Sequence, residues 1–189
     1  PLGILASLRP GSALDHGINL LAFASVSLPT FWLGLMLMVV FAVQLGWLPA
    51  SGMADVSGDG GLLDRLRHMA LPVATLALAG MGQYIRHMRA AMIGEAHHDY
   101  VRTARAKGLS ELQALFRHVL KNAMIPILTG VVVVIPSLFM GSLIYESFFG
   151  IPGLGSYTID AINSQDFPVV RAMVFIGSLL YIVGLILTD

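Results

Sequence analysis

The sequence predicts an all-α fold, a polytopic transmembrane helical bundle, and three observations carry that expectation. The chain is 56% hydrophobic and 12% charged, where an ordinary soluble domain is roughly 25% charged. Its charges are segregated, with no Asp, Glu, Lys or Arg in 17–54, 69–85, 122–145 or 172–188. Those runs lack strand alternation and approach or exceed the ~20 apolar residues with which a helix crosses a bilayer. A helix does so because it satisfies its own backbone hydrogen bonds in hydrocarbon. A very apolar soluble core is the competing reading of the same composition.

Four spans follow in order, at about 19–44, 68–89, 122–145 and 170–188. Pro29, Pro72, Pro126 and Pro136 lie within the first three, where a missing N–H kinks or breaks a helix unless neighbours satisfy the freed carbonyls. The connection 46–67 is rich in turn formers, among them Pro49, Gly52 and Gly58. There is no cysteine, hence no disulfide framework and no thiolate metal site. No signal peptide is legible. Eleven basic residues balance eleven acidic ones, so net charge says nothing about nucleic acid or acidic partners, and no nucleic-acid partner is expected.

Charge position orients the bundle, because Lys and Arg near span ends accumulate on the cytoplasmic side. The island 86–121 holds seven of the eleven Lys and Arg residues. The loop 46–67 offers Arg65 and Arg67 against Asp55, Asp59 and Asp64, and the loop 146–169 only Glu146, Asp160 and Asp166. The island, with its loop 90–121, is therefore expected in the cytoplasm, and 46–67 and 146–169 outside. Basic residues there also suit anionic lipid.

Within the island, Ala96, Tyr100, Val101 and Ala104 share one helical face, with Arg102 and Arg105 pointing elsewhere. Leu112, Leu115, Phe116 and Val119 follow the same periodicity further on. Gly108 between them can take the left-handed conformation that ends a helix, and Ser110-Glu-Leu-Gln113 spells a capping box that starts the next. Helix, sharp turn, helix is the physical reading. An ordinary amphipathic loop resting on headgroups is the plainer one.

The stretch Tyr100-Val-Arg-Thr-Ala-Arg-Ala-Lys-Gly-Leu-Ser110, followed by Arg117-His-Val-Leu-Lys-Asn-Ala-Met-Ile-Pro126, resembles the coupling-loop signature of bacterial ABC importer permeases. The dipeptide/oligopeptide/nickel branch is the nearest in pattern. Ser27-Leu-Pro-Thr-Phe-Trp-Leu-Gly34, Leu45-Gly-Trp-Leu-Pro49 and Glu146-Ser-Phe-Phe-Gly-Ile-Pro-Gly-Leu-Gly155 agree with it, as does the run from Asp160 through Asp166 to Val170. Against the general loop pattern (Glu-Ala-Ala, three residues, Gly, nine residues, Ile-x-Leu-Pro), only Ala104, Gly108 and Leu120 match strictly. The Arg102-Thr103-Ala104 triplet is similar to the peptide/nickel branch.

The resemblance implies a type I ABC importer permease fold, with 1–189 a single transmembrane permease domain in a bacterial inner membrane. The family would add one span and most of another before Pro1 and a tail after Asp189, so a piece of a longer permease is expected. It further implies that Tyr100, Arg102, Thr103, Ala104, Lys107, Gly108, Leu109 and Ser110 couple the chain to a cytoplasmic ATPase. The implied partners are a second permease, two ATPase subunits, a periplasmic solute-binding protein and membrane lipid. ATP and Mg would be used by the ATPases, since no Gly-x-x-x-x-Gly-Lys-Ser/Thr loop occurs here, and no cofactor or catalytic residue is expected in this chain. The implied cargo is a short peptide, with a nickel or metal chelate or a glutathione-like solute as alternatives. A membrane scaffold or sensor that recruits a partner without transport is the rival outside that class.

The outer loop resembles the family's periplasmic scoop, with Pro152, Gly153 and Gly155 supplying turns and 155–163 a short helix. Glu146, Asp160 and Asp166 would lie near the pore mouth, either touching a docked protein or substrate ammonium, or simply solvated. Two local signals are set aside. The Glu95–Asp99 stretch, with His97 and His98, is not expected to hold metal, because adjacent helical residues diverge by about 100°. Ser142, beside Gly141 in the third expected span, has no histidine near enough to act as its base. His68, His87 and His118 read as ordinary histidines at membrane boundaries.

Overall fold

A computed structural model describes residues 1–55 and 60–188. Its described regular structure is helical: α1 (Leu2–Leu8), α2 (Ala13–Ser27), α3 (Thr30–Met38), α4 (Leu62–Ala96) and α5 (Asp99–Ala106) are followed by α6 (Glu111–Ala114), α7 (Leu120–Met140), α8 (Leu143–Phe149), α9 (Leu154–Asn163) and α10 (Phe167–Thr188). A π-helical turn, Val39–Gln44, extends α3, and another, Leu115–Val119, joins α6 to α7. The chain divides into two compact units, Pro1–Leu28 with Leu78–Val131 in the first and Pro29–Ala77 with Val132–Asp189 in the second.

Glu111–Val132 and Phe167–Ile186 are long and apolar enough to cross a membrane, and α2 with α3 and its π turn adds a third crossing if that broken pair is one span. The expected span 19–44 is therefore not one helix. Leu28 is extended, with φ −87° and ψ 129°, because the ring of the following Pro29 disfavours helical geometry before it. The other prolines act differently: α4 continues through Pro72, and α7 through Pro126 and Pro136. At 35 residues α4 contains the expected span 68–89. Its polar residues, His68, Thr75 and Gln83 among them, keep it outside the described helices that qualify by length and composition. The third expected span ends early, since α7 stops at Met140 and Gly141 turns the chain with φ +67°.

In the first unit, α1 and α2 lie against the C-terminal half of α4. Ala6, Ile18, Ala22 and Ile85 are buried together, with Leu2 and Met81 packed on them. The Ser25 hydroxyl donates to the Leu78 carbonyl at 2.6 Å and accepts from the Gly82 N–H at 3.1 Å, tying α2 to α4. In the first turn of α2, Asp15 is buried and grips Arg89 through two bonds of 2.6 Å, Nε to Oδ1 and Nη2 to Oδ2. The Gly11 N–H and the Asn19 amide also donate to that carboxylate, at 2.8 and 2.6 Å. A paired charge with its remaining lone pairs bonded is the condition under which a buried carboxylate persists.

In the second unit, Phe149 at the end of α8 is fully buried. Gly34 on α3 approaches Thr75, Phe148 and Phe149 so closely that a β-carbon there would lie 3.3–3.5 Å from each. The Phe149 carbonyl accepts from the Gly52 N–H at 2.8 Å, which holds the 46–55 turn against α8.

Replacing Asp15 by Asn strands the Arg89 guanidinium without its anion. The thermal midpoint of the purified protein should fall clearly in Asp15→Asn, but not in Asp99→Asn, whose 3.6 Å pair with Arg102 is exposed on both sides. Equal midpoints in the two variants would contradict the pairing.

Candidate functional site

The island forms its two short helices for reasons legible residue by residue. α4 ends at Ala96, and His97 and His98 occupy the turn that follows, so they do not sit on a continuous helix. The His97 ring bonds the Ile93 carbonyl at 2.7 Å, and His98 is the extended residue before α5. The Tyr100 hydroxyl donates to Glu95 and its ring stacks on His98 at 5.8 Å, which spans the break. Partial burial pushes the Tyr100 phenol above its ordinary value; Asn122 works against that shift and Glu95 with it.

α5 stops where Gly108 takes φ +91°, a conformation costly for any residue with a β-carbon. The Gly108 and Leu109 N–H groups donate to the Arg105 and Ala104 carbonyls, at 2.9 and 3.3 Å. Two residues on, the capping box is present in full: Ser110 Oγ accepts from the Gln113 N–H at 3.3 Å, and the Gln113 side chain accepts from the Ser110 N–H at 3.1 Å. This leaves little slack at either end of the turn.

What seats these helices is a buried cluster of Met88, Met92, Val101, Ala114, Val119 and Ala123. Fully burying a side chain of Val or Met size contributes about 1.5–3 kcal/mol, so the cluster holds α5 and α6 firmly on α4 and α7. Val101 and Ala104 are the buried residues of the expected first face, while Tyr100 stays at the surface. Of the second face, Val119 is buried and Leu115 partly so, but Leu112 and Phe116 are exposed at 63% and 58%. Arg102, Thr103, Arg105, Lys107, Gly108 and Ser110 are exposed as well, with Leu109 half-buried. The island thus presents a polar and basic surface carrying two bare apolar side chains.

The second group of expected site residues is arranged differently. Glu146 on α8 is half-buried, and its carboxylate is committed internally. Oε1 accepts from the Ser142 N–H at 3.1 Å, and Oε2 from the Gly155 and Ser156 N–H groups at 2.8 and 3.0 Å. One side chain therefore caps the start of its own helix and the start of α9, where exposed N–H groups and the helix dipole favour an anion. Glu146 is therefore not a free acid; it ties the start of α9 to α8. A β-carbon at Gly141, Gly153 or Gly155 would collide with this carboxyl group. Glycines at those three positions around an acid are the sequence signal for the cap. Ser142 spends its N–H on the same carboxylate and leads α8, outside α7. Asp160 is exposed on α9, the helix Leu154–Asn163, and Pro152 is exposed before it. Asp166 is exposed and its Oδ1 accepts from the Val169 N–H at 3.3 Å, capping α10.

Residues 1–189 match the family described as the binding-protein-dependent transport system inner membrane component. The chain belongs to that family. It is 40% identical over 189 residues to the oligopeptide transport system permease protein AppB of Bacillus subtilis (strain 168), covering all of this chain and 60% of that protein. It is 37% identical over 203 residues to the di/tripeptide transport system permease protein DppB of Pseudomonas aeruginosa (strain UCBPP-PA14), covering 97% and 60% of the two chains. With the dipeptide transport system permease protein DppB of Escherichia coli (strain K12) it shares 33% over 210 residues, covering 100% and 62%. The chain spans about three fifths of the length of these relatives. The helical architecture described above is that of an inner-membrane permease of this family.

Glu146→Ala leaves three N–H groups without their acceptor, at a cost of about 1–3 kcal/mol, and should lower the unfolding midpoint of the purified protein. Glu146→Gln retains one acceptor oxygen and should fall between that variant and the parent. An unshifted midpoint in Glu146→Ala would show that the cap does not form.

Proposed function

We propose that this chain is the permease subunit of an ATP-driven importer and carries short peptides inward. A similar second permease completes the translocation path, and a solute-binding protein outside the membrane delivers the cargo. The observation that carries the coupling part is the helix, Gly108 turn and capped helix seated on Val101 and Val119. Its exposed side, Tyr100, Arg102, Thr103, Lys107 and Ser110 with Leu112 and Phe116, is suited to a groove on a cytoplasmic ATPase subunit. Leu109 and Ala104 support that surface from beneath. Peptide cargo is favoured by the three relatives described above, each named as a peptide transport permease.

The mechanism asks stiffness of this element. Closure of two ATPases on ATP would displace two such loops, one per permease, and switch the path from inward- to outward-facing. A slack linker would absorb the displacement. Capped helix ends on both sides of Gly108, together with the buried cluster below, pass it on to α4 and α7. ATP and its Mg²⁺ belong to the ATPases. On the outer side, the Glu146 cap would hold α9 as a fixed scoop, leaving Asp160 as the exposed acid available to a docked protein or a substrate ammonium group.

Two measurements test this reading. Purification of the intact protein from native membranes should bring a second permease and two ATPases, and ATP hydrolysis should rise when peptide-loaded binding protein is added; recovery alone would refute it. Gly108→Val should insert and assemble normally yet lose ATP-dependent uptake by at least about tenfold, because a β-branched residue resists positive φ. Uptake at the parental rate would remove the turn from the mechanism.

A further inference from the structure

A cavity of about 440 Å³ opens between α2 and the C-terminal half of α4, within the first unit. Its lining changes character along α2. Asp15, His16 and Asn19 stand at one end and Leu20 and Phe23 at the other, with Arg89 contributed by α4. Beyond Asn19 the helix reads Leu20-Leu-Ala-Phe-Ala24, and Phe23 lies one turn past Asn19, about 6 Å along the axis. Leu20 and Phe23 are exposed at 72% and 55%. The groove thus passes from polar to apolar within two turns of the first arm of the broken span.

Two guanidinium groups serve this groove, and they are not equivalent. Arg89 gives its Nε and Nη2 edge to Asp15, so those two charges cancel, and Nη1 takes no part in the pair. The Asp15 carboxylate is further spent on the Gly11 N–H and the Asn19 amide. Arg86 stands three residues earlier on α4, on the same helical face. Its Cζ lies over the Phe23 ring, 5.0 Å from the centroid. Among the described residues Arg86 has no carboxylate partner. One uncompensated positive charge is therefore held at the level where α2 turns apolar. A ring face offsets only part of what a guanidinium loses on leaving water, and an anion beside it supplies the rest.

We propose that this groove binds one anionic phospholipid, its phosphate on Arg86 and Arg89 Nη1 and an acyl chain along Leu20 and Phe23. Phosphate oxygens match the planar donor fork of arginine. A soluble anion would satisfy Arg86 but leave Leu20 and Phe23 bare, and an apolar chain alone would leave Arg86 unpaired. Charge and apolar surface one helical turn apart ask for both in one molecule. The lipid site is independent of the coupling surface and of what the permease carries; it requires only that α2 enters the bilayer.

The test reconstitutes the full-length permease in vesicles of equal phosphatidylglycerol and phosphatidylcholine, extracts it in mild detergent and weighs it by native mass spectrometry. The parent should keep one phosphatidylglycerol per chain, with about a fivefold or greater preference over phosphatidylcholine. Arg86→Gln, an exposed change outside the Asp15 pair, should abolish that preference, while Arg65→Gln, an exposed cation of the second unit, should preserve it. Elution profiles report the fold of each variant. Where Arg86→Gln elutes aggregated, Arg86→Lys carries the test, and loss of the planar fork should cut the preference by about half or more. Equal retention of the two lipids by the parent would overturn the proposal and leave the groove to a protein segment. An unchanged preference in the Arg86 variant that folds would overturn it too, placing the lipid on other basic residues. Inorganic phosphate added before extraction should displace nothing; displacement would overturn the lipid in favour of a soluble anion.

Discussion

The buried cluster under the island is the contact on which the helix–turn–helix there depends. Val101 and Ala104 from α5, Ala114 from α6 and Val119 from the π turn meet Met88 and Met92 on α4 and Ala123 on α7. Without that seat, two helices of eight and four residues would have no independent stability, because isolated helices shorter than about a dozen residues are marginal in water. The polar links, the Gly108 turn and the Ser110–Gln113 box, choose the conformation; the apolar contact anchors it. A loop so seated moves with its supporting helices, which a transmitting element requires.

Among the described residues, polar groups elsewhere follow the complementary rule that nothing charged is buried without partners. Asp15 has Arg89, Gly11 and Asn19. Glu146 has three main-chain donors. Both acids act as clasps, the first between α2 and α4 and the second between α8 and α9. In an apolar medium such clasps are selective, since a misplaced register would leave an ion unpaired.

Much of this was legible in the sequence where the signal is local. The Gly108 turn, the Ser110 capping box and the short helix near 155–163 all rest on neighbours within a few residues, and each is present. Prolines were harder: the same residue type breaks the chain at 29 and is absorbed at 72 and 126, because tertiary neighbours decide whether freed carbonyls find partners. Long-range pairs left no trace. Asp15 and Arg89 are 74 residues apart, and Glu146 read as a loop acid because its donors are main-chain groups with no side-chain signature.

One consequence lies in the π turn at 115–119. Heptad-like spacing places Leu112, Leu115, Phe116 and Val119 along a single stripe only if the winding stays α-helical. A π turn closes its bonds one residue later than an α-helix does, which slips the stripe by roughly 100°. The slip sends Val119 inward and leaves Leu112 and Phe116 outward. The sticky spot on the island is thus made by winding rather than by composition, and deleting a single residue there would erase it without removing an apolar side chain.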